Sequence, residues 1–429
     1  MRAKQRVRVH VVTMGCAKNT VDSEKLMAQL LGTGIEITAS IDRADVAIIN
    51  TCGFIQSAKQ ESLDVILEHV KRKSDGRLKK VLAMGCLTER YLGELQKEIP
   101  EVDRFFGAHQ MADVVKELGG EYRTELLGKR HLTTPPHTAY LKISEGCDHP
   151  CSFCAIPIMR GAHVSRPSGE IVEEARQLVA GGVRELVVIG QDTTNYGLDL
   201  GGKRGLAALL TRLAELDGVE WVRLMYAYPS HFPEDVLDVI AEHPHVCSYL
   251  DLPIQHIADS VLKSMRRGIT RGATEKLIER IRARVPGIAL RTTLIVGYPA
   301  ETGEAFEELR EFVRQARFDR LGVFSYSSEE GTTAEPLGDP VAETEKERRR
   351  GAIMEIQQEI SRVRNEALIG SRLRVLIERK EQDQWVGRTE HDAPEIDNEV
   401  FVSGDGLAPG TFRDVEIVDA YEYDIVGRV

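Results

Sequence analysis

Three thiols in the run Cys147-Asp-His-Pro-Cys151-Ser-Phe-Cys154 are the side chains of this 429-residue chain best suited to do chemistry. Structural zinc usually takes four ligands in paired, closed tetrahedral sets. Three thiolates from one short loop suit a cubane 4Fe-4S cluster instead, with one iron left free of protein. That open iron can chelate the amino and carboxylate groups of a small molecule. A zinc loop completed by His149 or by a distant residue is the weaker alternative. Phe153 gives the loop an apolar anchor. A second trio, Cys16, Cys52 and Cys86, closes the phrases TMGC, INTC and AMGC at intervals of 36 and 34 residues. The flanking Gly15, Gly53 and Gly85 would let backbone approach an inorganic cluster closely. Free cysteine is often simply buried, but three equivalent positions favour a shared site. Cys247 stands alone and reads as a buried or idle thiol.

The elements that must position these thiols are legible. Val7–Met14, Val46–Asn50 and Val81–Met84 are nearly continuous apolar, β-branched runs, the pattern of buried parallel strands. Helical patterns such as Ser23–Leu31 and Gln56–Val70 alternate with them, which predicts a doubly wound parallel sheet over residues 1–130. Ligand sites in such sheets lie beyond the carboxyl ends of the strands. If these strands are neighbours, Cys16, Cys52 and Cys86 converge there. After a loose Pro135-Pro136 linker, six strand-like runs begin with Ala139–Ser144 and Glu185–Gly190 and alternate with helical patterns. A full (β/α)8 barrel needs about 250 residues and eight units, so residues 137–368 read as an open (β/α)6 partial barrel. The segment ends in the charged helical pattern Glu343–Leu368. Residues 369–429, rich in Val, Ile, Thr and Tyr with Gly and Pro punctuation, read as a small all-β barrel. The fold class is α/β with this β module appended.

Composition narrows the classes. Hydrophobic residues make up 42% and charged residues 29%, ordinary for a globular chain and too apolar for a disordered one. No run approaches the roughly 18 apolar residues of a membrane span. The opening MRAKQRVRVH has no apolar core of an export signal, so a cytoplasmic protein with no membrane partner is expected. An odd count of seven cysteines argues against a disulfide framework. The net charge of −11 disfavours phosphate-backbone affinity as the main recognition. Residues 371–429 hold seven basic and fourteen acidic side chains, a net charge of −7. Such a tail attracts a basic partner. The near-match to a phosphate loop at Gly197…Gly202-Lys203 fails because Arg204 stands where Ser or Thr should bind magnesium. His243, His245, Trp221 and Trp385 read as turn or packing residues.

The CxxxCxxC spacing with a six-unit barrel resembles the radical S-adenosylmethionine (SAM) enzymes. Together with the earlier cysteine triad and the β-rich tail, which resembles a TRAM domain, it is similar to the methylthiotransferase family over essentially the whole chain. That resemblance implies two 4Fe-4S clusters. Cys147, Cys151 and Cys154 would hold the radical-generating one, and Cys16, Cys52 and Cys86 an auxiliary one that handles the inserted sulfur. SAM would serve twice, as methyl donor and as radical source. Gly190-Gln191-Asp192 stands where such enzymes carry a glycine-rich contact to SAM, departing from the commoner Gly-Gly-Glu. Gln255 and Gly297, at later strand ends, are placed to line the same pocket. A flavodoxin or ferredoxin is the expected electron donor.

Members of this family act on adenosine in transfer RNA or on an aspartate of small-subunit ribosomal protein S-twelve. GCAKNTVDSE at Gly15–Glu24 and YLDLPIQH at Tyr249–His256 look like the ribosomal-protein branch. GRTEHDAPEID at Gly387–Asp397 resembles that branch's tail. It gathers Glu390, Asp392, Glu395 and Asp397, read here as an acidic docking surface for the basic ribosomal protein, with RNA binding not the main recognition.

Overall fold

The computed structural model describes residues 7–429. The opening segment Met1–Arg6, part of the stretch read as lacking an export signal, lies outside the described residues. Five parallel strands come first: β1 (Arg8–Thr13), β2 (Glu36–Ile37), β3 (Val46–Thr51), β4 (Lys80–Gly85) and β5 (Arg104–Phe105), in the order β2-β1-β3-β4-β5. Successive β3 side chains divide between two cores, Ala47 and Ile49 on one face, Val46 and Ile48 on the other. Burial on both faces is why the run reads as continuously apolar. The three strands that carry the cysteines are direct neighbours.

A two-stranded ribbon, β7 (Ser144–Glu145) with β8 (Val164–Ser165), follows β6 (Thr138–Lys142) and closes the base of the CxxxCxxC loop. β9 (Glu185–Ile189), β10 (Trp221–Leu224), β11 (Tyr249–Asp251), β12 (Ala289–Val296) and β13 (Arg320–Ser325) continue the barrel. β6, β9 and β10 pair in parallel, as do β11, β12 and β13, and a single bridge from Val222 to Val246 joins the two groups. The result is the open six-stranded barrel expected. Leu186 and Val188 face the surrounding helices, while Val187 and Ile189 face the lumen, as period-2 alternation requires.

The helix Glu343–Glu366 leads to β14 (Arg372–Glu381), β15 (Gln384–Thr389), β16 (Val400–Ser403), β17 (Phe412–Ala420) and β18 (Ile425–Arg428). They close into a barrel in the order β14-β15-β16-β18-β17. Trp221 packs edge-on against Phe412, and Cys247 is buried in the same contact layer. Among the described residues, no helix is long and apolar enough to cross a membrane.

The acidic loop of the last domain corrects the sequence reading. Glu390, Asp392, Glu395 and Asp397 do not form one open docking surface: Asp392 and Asp397 reach arginines at the base of the (β/α)6 barrel, Glu390 is half-buried there, and only Glu395 is exposed. Asp392 accepts from Arg320 Nε at 2.8 Å. Asp397 pairs with Arg291 at 3.3 Å and accepts from the Tyr249 hydroxyl at 2.7 Å. Glu390 accepts from the Ser248 amide at 2.9 Å, and Glu395 from the Tyr140 hydroxyl at 3.3 Å. The physical reason is that the barrel's inward-facing arginines need counter-charges. The same interface holds Glu185 between Arg223 at 2.8 Å and Arg388 at 2.6 Å, all three fully buried.

Burial alone would raise the pKa of Glu185, but Arg388 and Arg223 outweigh it and hold the carboxyl at about 2, below its ordinary 4.5. A depressed folded-state value contributes stability that is present above the unfolded pKa and is lost as pH falls through the folded one. Glu185→Gln should therefore destabilise the protein by about 3 kcal/mol at pH 7. Urea denaturation should show that difference narrowing as pH falls from about 4.5 towards 2. A constant difference across that range would refute the assignment.

Candidate functional site

Each cysteine of the first triad sits where a strand hands over to a helix. Cys16 caps the helix Ala17–Gly32, Cys52 directly follows β3, and Cys86 opens the helix Cys86–Glu98. Two helix N-termini therefore point positive ends at the site, which favours an anionic ligand set. Asn19 fastens the strand ends, its side-chain amide donating to the carbonyls of Met14 at 2.8 Å and Thr51 at 3.0 Å. Gly15 has φ +88°, and a Cβ there would lie 2.8 Å from Cys52 Sγ. The backbone thus comes as close to the thiols as glycine alone permits.

Burial pushes the Cys86 thiol up to about 11. Arg160 opposes that rise, and Cys16 and Cys52 add to it. Burial also raises Cys52, with Cys16 contributing. The three thiols thus sense one another's charge. Yet among the described residues, no three His, Cys, Asp or Glu side chains close around a single metal ion. Three thiols at neighbouring strand ends, beside helix N-termini and bare glycine backbone, suit an inorganic cluster, and ligation would convert them to the thiolates that burial alone disfavours. The residues present fit an iron–sulfur cluster.

The second triad is framed differently. Burial pushes Cys147 and Cys154 each up to about 12, and neighbouring Cys151 raises both. Arg267 donates to Cys151 Sγ at 3.3 Å, and its guanidinium lies over the Tyr228 ring at 4.3 Å. His149 stacks on the other neighbour of this group, its ring 3.5 Å from that of Tyr228 and nearly parallel. Phe153 packs against a small core with Val261, Met265 and Tyr298, and Ser152 donates its amide to the Met265 carbonyl at 3.0 Å. The loop is held by its apolar residues, which leaves the thiols free to ligate.

At the end of β9, the three predicted SAM contacts differ in use. Asp192 is committed to the loop: one carboxylate oxygen lies 2.7 Å from His149 Nε2, the other accepts from the Thr194 amide at 2.8 Å. Gln191 donates to Glu145 at 2.6 Å, while its carbonyl oxygen and the nearby Ser144 hydroxyl are buried without a partner. Gly190 leaves the space over Ser144 open, since a Cβ would stand 2.6 Å from that hydroxyl. Two unsatisfied buried polar atoms beside a bare α-carbon are what a small polar ligand would complete. Gln255 adopts φ +71° and extends the β12 ladder through Thr293 and Ile295. Gly297 is placed differently: its α-carbon lies under Lys346 of the long linking helix, where a Cβ would clash at 2.4 Å.

Sequence reasoning missed the residue that joins the two triads. The short helix Ile156–Arg160, which begins two residues beyond the last thiol of the loop, packs with the preceding Ala155 through Ile156 and Met159 against Cys86. It delivers Arg160, almost wholly buried, to three acceptors at once. The guanidinium donates to Cys86 Sγ at 3.1 Å, Asn19 Oδ1 at 2.6 Å and Asp22 Oδ2 at 2.8 Å. Lys142 also pairs with Asp22, and with Glu145 at 2.6 Å. Glu145 in turn holds Gln191, so one buried polar layer runs from the first triad to the mouth of the barrel. The sequence signal was an arginine between an apolar turn and Gly161, too weak to assign alone.

Comparison with known proteins follows this geometry. The model described as "Uncharacterized protein family UPF0004" matches residues 8–107, the radical SAM superfamily matches 141–313, and the TRAM domain matches 369–429. A protein of Chloroherpeton thalassium named ribosomal protein uS12 methylthiotransferase RimO is 54% identical, covering 99% of each chain. Proteins of the same name from Cytophaga hutchinsonii and Bacteroides thetaiotaomicron are each 50% identical, covering 100% and 99% of both chains respectively. Among solved structures, the radical SAM methyltransferase TsrM of Kitasatospora setae, with cobalamin and a [4Fe-4S] cluster bound, aligns at a TM-score of 0.56. It is 16% identical, with 77% of each chain covered, and shares the fold.

The buried layer makes its own prediction in the metal-free protein. Arg160→Met leaves Asp22 with Lys142 alone and should cost about 3 kcal/mol. Asp22→Asn in the same chain should recover part of that loss. A denaturation double-mutant cycle that returns strict additivity would show that the two do not interact.

Proposed function

The chain belongs to the family of ribosomal protein uS12 methylthiotransferases, and on that premise we propose how its residues divide the work of placing a methylthio group on the β-carbon of an aspartate in uS12. It is a radical SAM enzyme, and the family works with an iron–sulfur cluster and SAM. The observation that carries the finer reading is two cysteine triads on adjoining domains, each built for ligation and separated by one polar layer around Arg160. In this reading Cys147, Cys151 and Cys154 hold a 4Fe-4S cluster for SAM cleavage, and Cys16, Cys52 and Cys86 hold a second that presents sulfur.

When bound, cluster and SAM supply one-electron chemistry able to open an unactivated C–H bond, which no side chain at pH 7 can do. The chain's own residues position and seclude that chemistry. Arg267 and Tyr228 steady Cys151. Asp192 orients His149 over the loop. Gly190, Gln191 and Gln255 are the proposed SAM contacts, Gln191 through its unpartnered carbonyl oxygen. Gly297, at a tight turn beneath Lys346, could offer only backbone to the same pocket. Electrons would come from a reduced flavodoxin or ferredoxin. The basic substrate would be recognised mainly by surfaces other than the 390–397 loop, where Asp392 and Asp397 are already paired with arginines.

Anaerobic reconstitution should give about eight irons per chain. Gly15→Ala, which places a methyl group against Cys52, should give about four and abolish sulfur transfer while reductive SAM cleavage persists. Mass spectrometry of uS12 from cells with and without the gene tests the substrate. Methylthiolated adenosine in transfer RNA with unmodified uS12 would overturn the reading.

A further inference from the structure

Lys18 is a buried cation with no counter-charge. It stands two residues beyond Cys16 in the first turn of its helix, with 7% of its surface exposed. Among the described residues its ammonium makes no hydrogen bond and no ion pair. Its only polar contact is with the face of Tyr226, whose ring centroid lies 2.9 Å away. Burying an ammonium without a hydrogen-bonding anion is costly, and a cation–π contact replaces only part of the lost hydration.

The carboxylates that could have served are all engaged. Asp22, one turn along the same helix, is shared by Lys142 and Arg160. Glu145 holds Lys142 and Gln191. Asp192 holds His149. Asp251 pairs with Arg291 and accepts the Tyr226 amide at 3.0 Å. The receiving ring is itself held under strain. Tyr226, two residues past β10, has φ +60°, a conformation non-glycine residues rarely adopt, fixed by the Asp251 contact and by Thr193, which donates to its carbonyl. Strain of this kind persists where neighbours over-determine it, and it is found at ligand sites. Thr193 directly follows Asp192, so Lys18 and Tyr226 meet at the barrel mouth between the two cysteine triads.

We propose that the Lys18 ammonium, backed by Tyr226, is the seat for the carboxylate of the aspartate that is modified. The inference rests on the uS12 reading and deepens it by naming what selects the residue. A group transferred to a β-carbon must find that carbon fixed between the triads. The carboxylate one bond away is the only charged handle the side chain offers, and an ammonium bonds a carboxylate more strongly than it bonds an uncharged amide. SAM also carries a carboxylate, so the test separates the two anions.

Purified uS12 with its target aspartate intact, or replaced by asparagine at the position mass spectrometry finds modified, is titrated into iron-loaded wild type and Lys18→Met. Wild type should prefer the aspartate form by about 10- to 100-fold. Lys18→Met should bind both forms equally, with SAM affinity unchanged. Lys18→Arg should restore part of the preference. Because the Lys18 ammonium makes no ion pair or hydrogen bond among the described residues, its replacement by Met should not lower the melting temperature. A Lys18→Met protein that still prefers aspartate, that loses SAM affinity instead, or that melts lower overturns the inference and leaves the uS12 reading standing. If wild type binds neither form, the substrate reading fails and this inference falls with it.

Discussion

Arg160 is the point on which the arrangement of this molecule turns. One guanidinium has enough donors in a fixed plane to serve a thiol, an amide and a carboxylate together. Each of the three belongs to the N-terminal domain, while the arginine itself belongs to the barrel. The contact therefore sets the distance between domains and between cysteine triads in one stroke. Lysine in its place has a single charged atom and could not span Asn19, Asp22 and Cys86. The neighbouring links, Arg130 with Glu174 and Glu329 with Lys59 and Arg90, anchor the same domain pair further out. They restrain rotation about the central contact but do not touch the thiols.

Polarity in this layer has a second effect. An apolar seam would hold the domains at least as firmly, because buried ion pairs seldom exceed hydrophobic packing in net stability. What the polar seam offers is a unique registration: Arg160, Lys142, Asp22 and Glu145 satisfy one another in few geometries. Registration matters where two reactive centres must address the same substrate atom, since small misplacements are expensive in rate.

The cysteines were legible because their information is local. Strand-end position, βα spacing and flanking glycines all lie within a few residues of each thiol, and the three strands prove to be neighbours. The acidic run Glu390–Asp397 was not legible, because its meaning lies in residues far away. Arg320 is 72 positions from Asp392, and Arg223 is 167 from the Glu390 carbonyl it holds. A charge count sees the acids and cannot see arginines turned into a lumen. Asp192 shows a milder form of the same limit. Its strand-end position was right, but its carboxylate serves His149, a partner 43 residues earlier. Gly297 marks a turn under Lys346, a side chain whose arrival from a distant helix no local pattern announces.

The plugging of the barrel base by the last domain bears on how the chain is made. Synthesis runs from the N-terminus, so Arg320 is in place before Asp392, the carboxylate that pairs with it, has left the ribosome, whereas Arg223 and Arg291 already have Glu185 and Asp251 beside them. During that interval the base of the barrel is uncovered and Arg320 lacks the Asp392 carboxylate. The last domain is therefore both a module and the lid on the barrel base, and the barrel's polar lining is complete only when the whole chain has been made.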